Sequence, residues 1–144
     1  MSSRGLGGLP ALAEDVWTWV EVLGDLVEVR SIGVRLAKLE QAMCPGFHVD
    51  HLVLRLVCTY GGPATEFLDN ASVDRTRLGH ASGGLDDAQS GLIRPEHAIK
   101  RAAAGDVVLL KGNAWPGNEG RGAVHRSPLA TLRQPRLVLT LDMQ

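Results

Sequence analysis

His48 and Asp50 stand one residue apart, and another histidine, His125, comes late in the stretch Gly122-Ala123-Val124-His125-Arg126-Ser127-Pro128. Side chains alternate faces along an extended chain, so His48 and Asp50 point the same way, as two ligands of one metal must. Two imidazoles and one carboxylate on one side of an ion, with other positions left open, form the facial triad of non-haem Fe(II) oxygenases. Each part alone says little, because an H-x-D pair arises often by chance and a lone histidine is usually a hydrogen-bonded structural residue. The combination says more. The pair precedes a long apolar run, His125 falls on a late strand, and the last strand begins with Arg136. His51 points to the opposite face and to solvent, and His80 and His97 have no placed partner.

Cys44 and Cys58 flank the pair, neither spaced as a zinc ribbon nor numerous enough for a disulfide framework. They read first as two buried, unpaired small hydrophobes, and otherwise as thiolates that would favour zinc over iron. Period-two parity puts His48, Asp50, Leu54, Cys58 and Tyr60 on one face, so Tyr60 is expected in the same pocket. The same parity groups Arg136, Val138 and Thr140 against Leu137, Leu139 and Leu141.

The elements that must hold these residues are mostly short strands. A helix is expected over 10–28, with Pro10 in its first turn and Leu12, Val16, Trp19, Val20, Leu23, Leu26 and Val27 at helical spacing. Glu14 and Asp15 are expected in that first turn, and both nearby tryptophans are expected to pack on a sheet. Strands are expected over Ser31 to Leu39, Leu52 to Tyr60, Val107 to Lys111, Arg121 to Arg126 and Arg136 to Asp142. A capped turn is expected at Ser72 to Arg75, a surface loop at His80 to Gly91, and a short helix from Pro95 to Ala104. About seven or eight strands without alternating helices argue against a parallel α/β sheet. The expected fold is mainly β, a double-stranded β-helix (jelly roll, cupin-like), with the N-terminal helix packed on the sheet.

The 144 residues make one domain, 10–144, behind a flexible N-terminus at 1–9. The chain carries 15 basic and 16 acidic residues with no charged block, which argues against nucleic acid as a partner. No apolar run approaches the eighteen or so residues of a membrane span, and no signal-peptide core forms, so a cytoplasmic location is expected.

The stretch from Phe47 to Phe67, FHVDHLVLRLVCTYGGPATEF, resembles the Fe(II)/2-oxoglutarate dioxygenases of the prolyl-hydroxylase-like kind. There an H-x-D pair leads into a strand and a Gly-Gly-x-Thr-x-Phe type turn, with a distal histidine and a basic residue later. More narrowly, FHVD, LRLVCTY, GPATEF, LLKGNAWPGN, HRSP and LVLTLD resemble a bacterial family of domains of unknown function. The wider resemblance implies Fe(II) at His48, Asp50 and His125, and 2-oxoglutarate as co-substrate. Its far carboxylate would be gripped by Arg136, eleven residues after His125. Arg133 lies in the connection, and Arg126 alternates away from His125. Tyr60 or Thr65 would add a hydrogen bond, Lys111 and Trp115 would lie near the pocket mouth, and a small molecule or protein would be hydroxylated. Two rivals stand beside this reading. One is a zinc-binding protein of metal homeostasis, with Cys44 and Cys58 joining the ligands. The other is a non-catalytic barrel that binds a small anion.

Overall fold

The computed structural model describes residues 8–94 and 99–143. The fold is mainly β, with two antiparallel sheets and one N-terminal helix. Helix α1 runs over Leu9–Val27, with proline in its first turn and a left-handed Glu28 (φ 53°) ending it. Because it starts at Leu9, Glu14 and Asp15 fall beyond the first turn, a correction to the expected dipole role. Asp15 instead accepts hydrogen bonds from Trp19 Nε1 and the Tyr60 hydroxyl. Of the two helix tryptophans, Trp19 packs on the sheet. Trp17 is 63% exposed and donates to Glu21.

The larger sheet holds β1 (Ile32–Leu39), β2 (Leu54–Gly61), β5 (Val107–Lys111) and β7 (Arg136–Met143), in the order β1-β7-β2-β5. The smaller holds β3 (Glu66–Leu68), β4 (Lys100–Arg101) and β6 (Val124–Arg126), in the order β4-β3-β6. Lys100–Arg101 is therefore a strand where a helix was expected; residues 95–98 and His97 lie outside those described. The expected turn near Ser72 is a pair of 3-10 turns, Asn70–Ser72 and Arg75–Arg77, the second capped by Asp74.

Alternation along β2 and β7 divides the large sheet into two working faces. Leu54, Leu56, Cys58, Leu139 and Leu141 meet Leu23 of the helix in one apolar cluster. Arg55, Val57, Thr65, Arg136 and Val138 line a cavity shared with His125 of the smaller sheet. The face that could do chemistry is thus turned away from the helix, toward the small sheet. Among the described residues no helix is long and apolar enough to cross a membrane.

Candidate metal centre and anion pocket

His48 lies outside every named strand, on an isolated antiparallel bridge opposite His125. The two residues exchange both backbone hydrogen bonds, each at 3.0 Å. Directly opposed residues carry their side chains on the same face, and the two rings lie 4.6 Å apart between centroids.

The ring tautomers are set locally. His48 Nδ1 donates to the Gly46 carbonyl at 2.9 Å, and His125 Nδ1 donates to the Ala123 carbonyl at 2.9 Å. A carbonyl only accepts, so each Nδ1 carries a proton, and Nε2 is left to donate to Asp50 when protonated or to offer its lone pair to a metal when not. Both Nε2 atoms turn to Asp50, at 3.7 Å from His48 and 3.4 Å from His125. The ligating atoms of His48, Asp50 and His125 all lie within 4.8 Å of one another. Bonds of about 2 Å to one ion fit that spacing. Burial by itself would raise the Asp50 pKa. The hydrogen bond and charge of His125, together with Arg55 and His48, outweigh burial and hold the carboxyl below its ordinary value.

Arg55, a charged residue inside the apolar strand β2, completes the arrangement. Its Nη1 donates to Asp50 Oδ2 at 3.0 Å, while Nε and Nη2 form a fork onto Asp142 at 2.6 and 2.8 Å. Arg55 and Asp142 are paired across β2 and β7. A lone arginine in an otherwise apolar strand is the signal that could have revealed this pair, since a half-buried guanidinium needs an acceptor.

Arg136 is 4% exposed and lines the same cavity. Its Nε and Nη2 donate to Thr59 Oγ1, Nη2 donates also to Thr65 Oγ1 at 2.7 Å, and Nη1 donates to Ser127 Oγ. Among the described residues no carboxylate comes within ion-pair distance of it. Burial pushes its pKa down to about 10, so it stays a cation at neutral pH. The cavity, about 70 Å³, has the half-exposed Met43 and Cys44 among its lining residues.

Several expectations need correction. Tyr60 faces the helix and donates to Asp15, so it takes no part in the pocket. Cys58 is buried on that same helix face. Residues 51–53 form a bend and reset the strand parity, so Arg55 rather than Leu54 shares a side with Asp50. Cys44 is unpaired but exposed, because the chain after β1 leaves the sheet through bends. Neither sulfur belongs to the converging ligand group. Lys111 and Trp115 stack at 4.6 Å on the helix side rather than at the cavity mouth. Thr65 lines the cavity and accepts a hydrogen bond from Arg136.

A comparison with curated proteins gives no match. The model of the family described as "Protein of unknown function (DUF1826)" matches residues 4–142, nearly the whole sequence, and the chain belongs to that family.

Proposed function

We propose that the protein is a mononuclear non-haem Fe(II) oxygenase using a 2-oxo dicarboxylate such as 2-oxoglutarate. The carrying observation is Arg136, a buried cation without a carboxylate, in the cavity of the two-histidine, one-aspartate cluster. A buried charge is costly unless it is paired, so a site that keeps one is suited to an incoming anion. His48, Asp50 and His125 would hold the iron. Bound iron would supply the oxidative decarboxylation of the keto acid that drives hydroxylation.

The chain's own residues bind and orient the co-substrate. Arg136 has one Nη1 hydrogen uncommitted among the described residues, and Thr59, Thr65 and Ser127 accept from it while keeping their own hydroxyl hydrogens to donate. Arg136, Thr65 and Ser127 line the cavity and together offer a carboxylate a cation and up to two neutral donors. Arg55 takes one oxygen of Asp50 and leaves the other facing His48. A five-carbon dicarboxylate needs more room than the cavity holds, so Met43 would swing outward on binding. Two facing antiparallel sheets with the cluster between them favour the double-stranded β-helix reading. The two free thiols suit a reducing, cytoplasmic setting.

Zinc binding without oxygen chemistry is the second reading, favoured by Cys44 lining the same cavity. Anaerobically purified protein, loaded with Fe(II) and titrated with 2-oxoglutarate, separates the two. The oxygenase reading requires a visible metal-to-keto-acid charge-transfer band. Arg136→Ala should weaken 2-oxoglutarate binding by about 2 to 4 kcal/mol with metal binding retained. Absence of the band in protein that binds Zn(II) tightly would hand the site to zinc.

A further inference from the structure

Phe47 precedes His48 and Arg126 follows His125. One carboxylate from a distant part of the chain grips both neighbours. Asp87 accepts the Phe47 backbone N–H at 3.0 Å through Oδ2 and 3.3 Å through Oδ1. Its Oδ2 also accepts Arg126 Nη1 at 2.8 Å. The Arg126 guanidinium lies over the Phe47 ring, 4.3 Å from its centroid, and its Nε donates to the buried Glu66. Register in the small sheet sets Arg126 opposite Glu66 and His125 opposite Phe67, so this network occupies the face turned away from His125.

The His48–His125 rung needs such help. It is an isolated bridge, with no strand on the His48 side to continue the ladder. Beside its own two hydrogen bonds, Ser127 N–H donates to the Cys44 carbonyl at 3.0 Å. Asp87 adds a charged tie across the same two chain segments.

Asp87 belongs to the glycine-rich segment His80 to Gly91, which reads in the sequence as a surface loop. Leu92, which follows it, is 2% exposed in one apolar cluster with Phe47 and Val124. Leu85, Asp86 and Ala88 form one side of a cleft of about 590 Å³, and Gly46, Phe47 and Arg126 line it as well.

We propose that Asp87 is a positioning residue for the metal centre. By holding Phe47 and Arg126 together it sets the separation of His48 and His125. By thermodynamic reciprocity, metal bound at the histidines holds the segment around Asp87 against the sheet. The inference rests on reading His48, Asp50 and His125 as metal ligands, and it links that centre to a cleft on the far face of the small sheet.

The test uses Co(II) alone, whose visible spectrum reports ligand geometry and whose affinity is read by chelator competition. Wild type is compared with Asp87→Ala, Asp87→Asn and Asp86→Asn, while hydrogen exchange follows residues 85–90 in apo and loaded protein. Asp87→Ala should lose about tenfold or more in affinity and alter the spectrum, as removal of outer-shell partners does. Asp87→Asn keeps an acceptor for the Phe47 N–H and should lose less. Asp86→Asn, at a side chain that among the described residues bonds only Gln89 N–H, should match wild type. Loading should slow exchange at 85–90 in wild type but not in Asp87→Ala. Circular dichroism of the apo forms checks folding; should the alanine variant unfold, Asp87→Asn and the wild-type exchange carry the test. Equal affinities and spectra across all variants, or exchange at 85–90 unmoved by Co(II), overturn the inference and leave the metal reading standing. A wild type that binds no Co(II) removes both.

Discussion

At the scale of single residues, the decisive question is what keeps the Asp50 carboxylate aimed between two imidazoles. Arg55 does so from one side, and it is itself held in a fork by Asp142. A guanidinium beside a metal site has two opposing effects. Its charge repels the cation, and its hydrogen bond orients the ligand. The repulsion is small here, because Asp142 neutralises Arg55 and a neutral pair has a weak field beyond its own length. Orientation should therefore win. Arg55→Met is expected to weaken Zn(II) or Co(II) binding by about ten- to a hundredfold, the usual effect of losing an outer-shell partner. Arg55→Lys keeps the charge but not the planar fork, and should also lose affinity. Chelator competition decides the matter. A rise in affinity for Arg55→Met would mean that repulsion, not orientation, governs the site.

At the scale of elements, the bend at 51–53 governs what the sequence could and could not tell. Period-two counting works where strands are regular. It grouped Arg136, Val138 and Thr140 on one face of β7 and Leu139 and Leu141 on the other, as the structure has them. It found His48 and Asp50 on one side because both precede the bend. It failed for Tyr60 and Cys58, because the bend intervenes and flips the face. Arg55 and Asp142 were missed for the same reason, since their meeting depends on the register of β2 against β7. The Asp87 tie joins residues 40 positions apart and has no local signal at all. The bend itself is fastened to the chain after β5. Asn113 N–H donates to the Asp50 carbonyl, Gly112 N–H to Val53 and Ala114 N–H to Leu52. Gly112 sits so close that an added Cβ would lie 1.8 Å from the Leu52 carbonyl oxygen and 2.9 Å from that of Asp50. Both obstacles are backbone, so the bend must shift. Gly112→Ala should cost about 1 to 3 kcal/mol in denaturant unfolding, as overpacking does. It should also weaken metal binding, because Asp50 moves with the bend. Leu23→Ala, a cavity on the helix side costing about 2 to 5 kcal/mol, is the matched control and should leave metal affinity alone. Equal metal affinity in the two variants would dissociate the bend from the site.

At the scale of the whole molecule, Arg136 joins the two sheets, and in doing so it sets stability against binding. It starts β7 of the large sheet, bonds Thr59 of β2, and reaches Thr65 and Ser127, which border β3 and β6 of the small one. Three neutral hydroxyls satisfy most of its hydrogens, yet they leave its charge uncompensated in a place where charge is expensive. An apolar or neutral core at this point would be easier to fold. The strain of an unpaired cation should therefore be visible in the stability of the free protein and relieved by an anion that fits. Arg136→Gln retains an amide donor for the hydroxyls and removes the charge. In buffer without multivalent anions its melting temperature should equal or exceed that of wild type. Adding 2-oxoglutarate or succinate should reverse the order. At a hundredfold excess over Kd a ligand of the folded state adds about 2.7 kcal/mol, which is several degrees for a chain of this length. The glutamine variant, lacking the cation, should not respond. Acetate, with one carboxylate and no second anchor toward the metal side, should stabilise wild type less than either dicarboxylate. A wild type indifferent to every carboxylate, or a glutamine variant that responds equally, would show that the buried charge serves the packing of the two sheets and binds nothing.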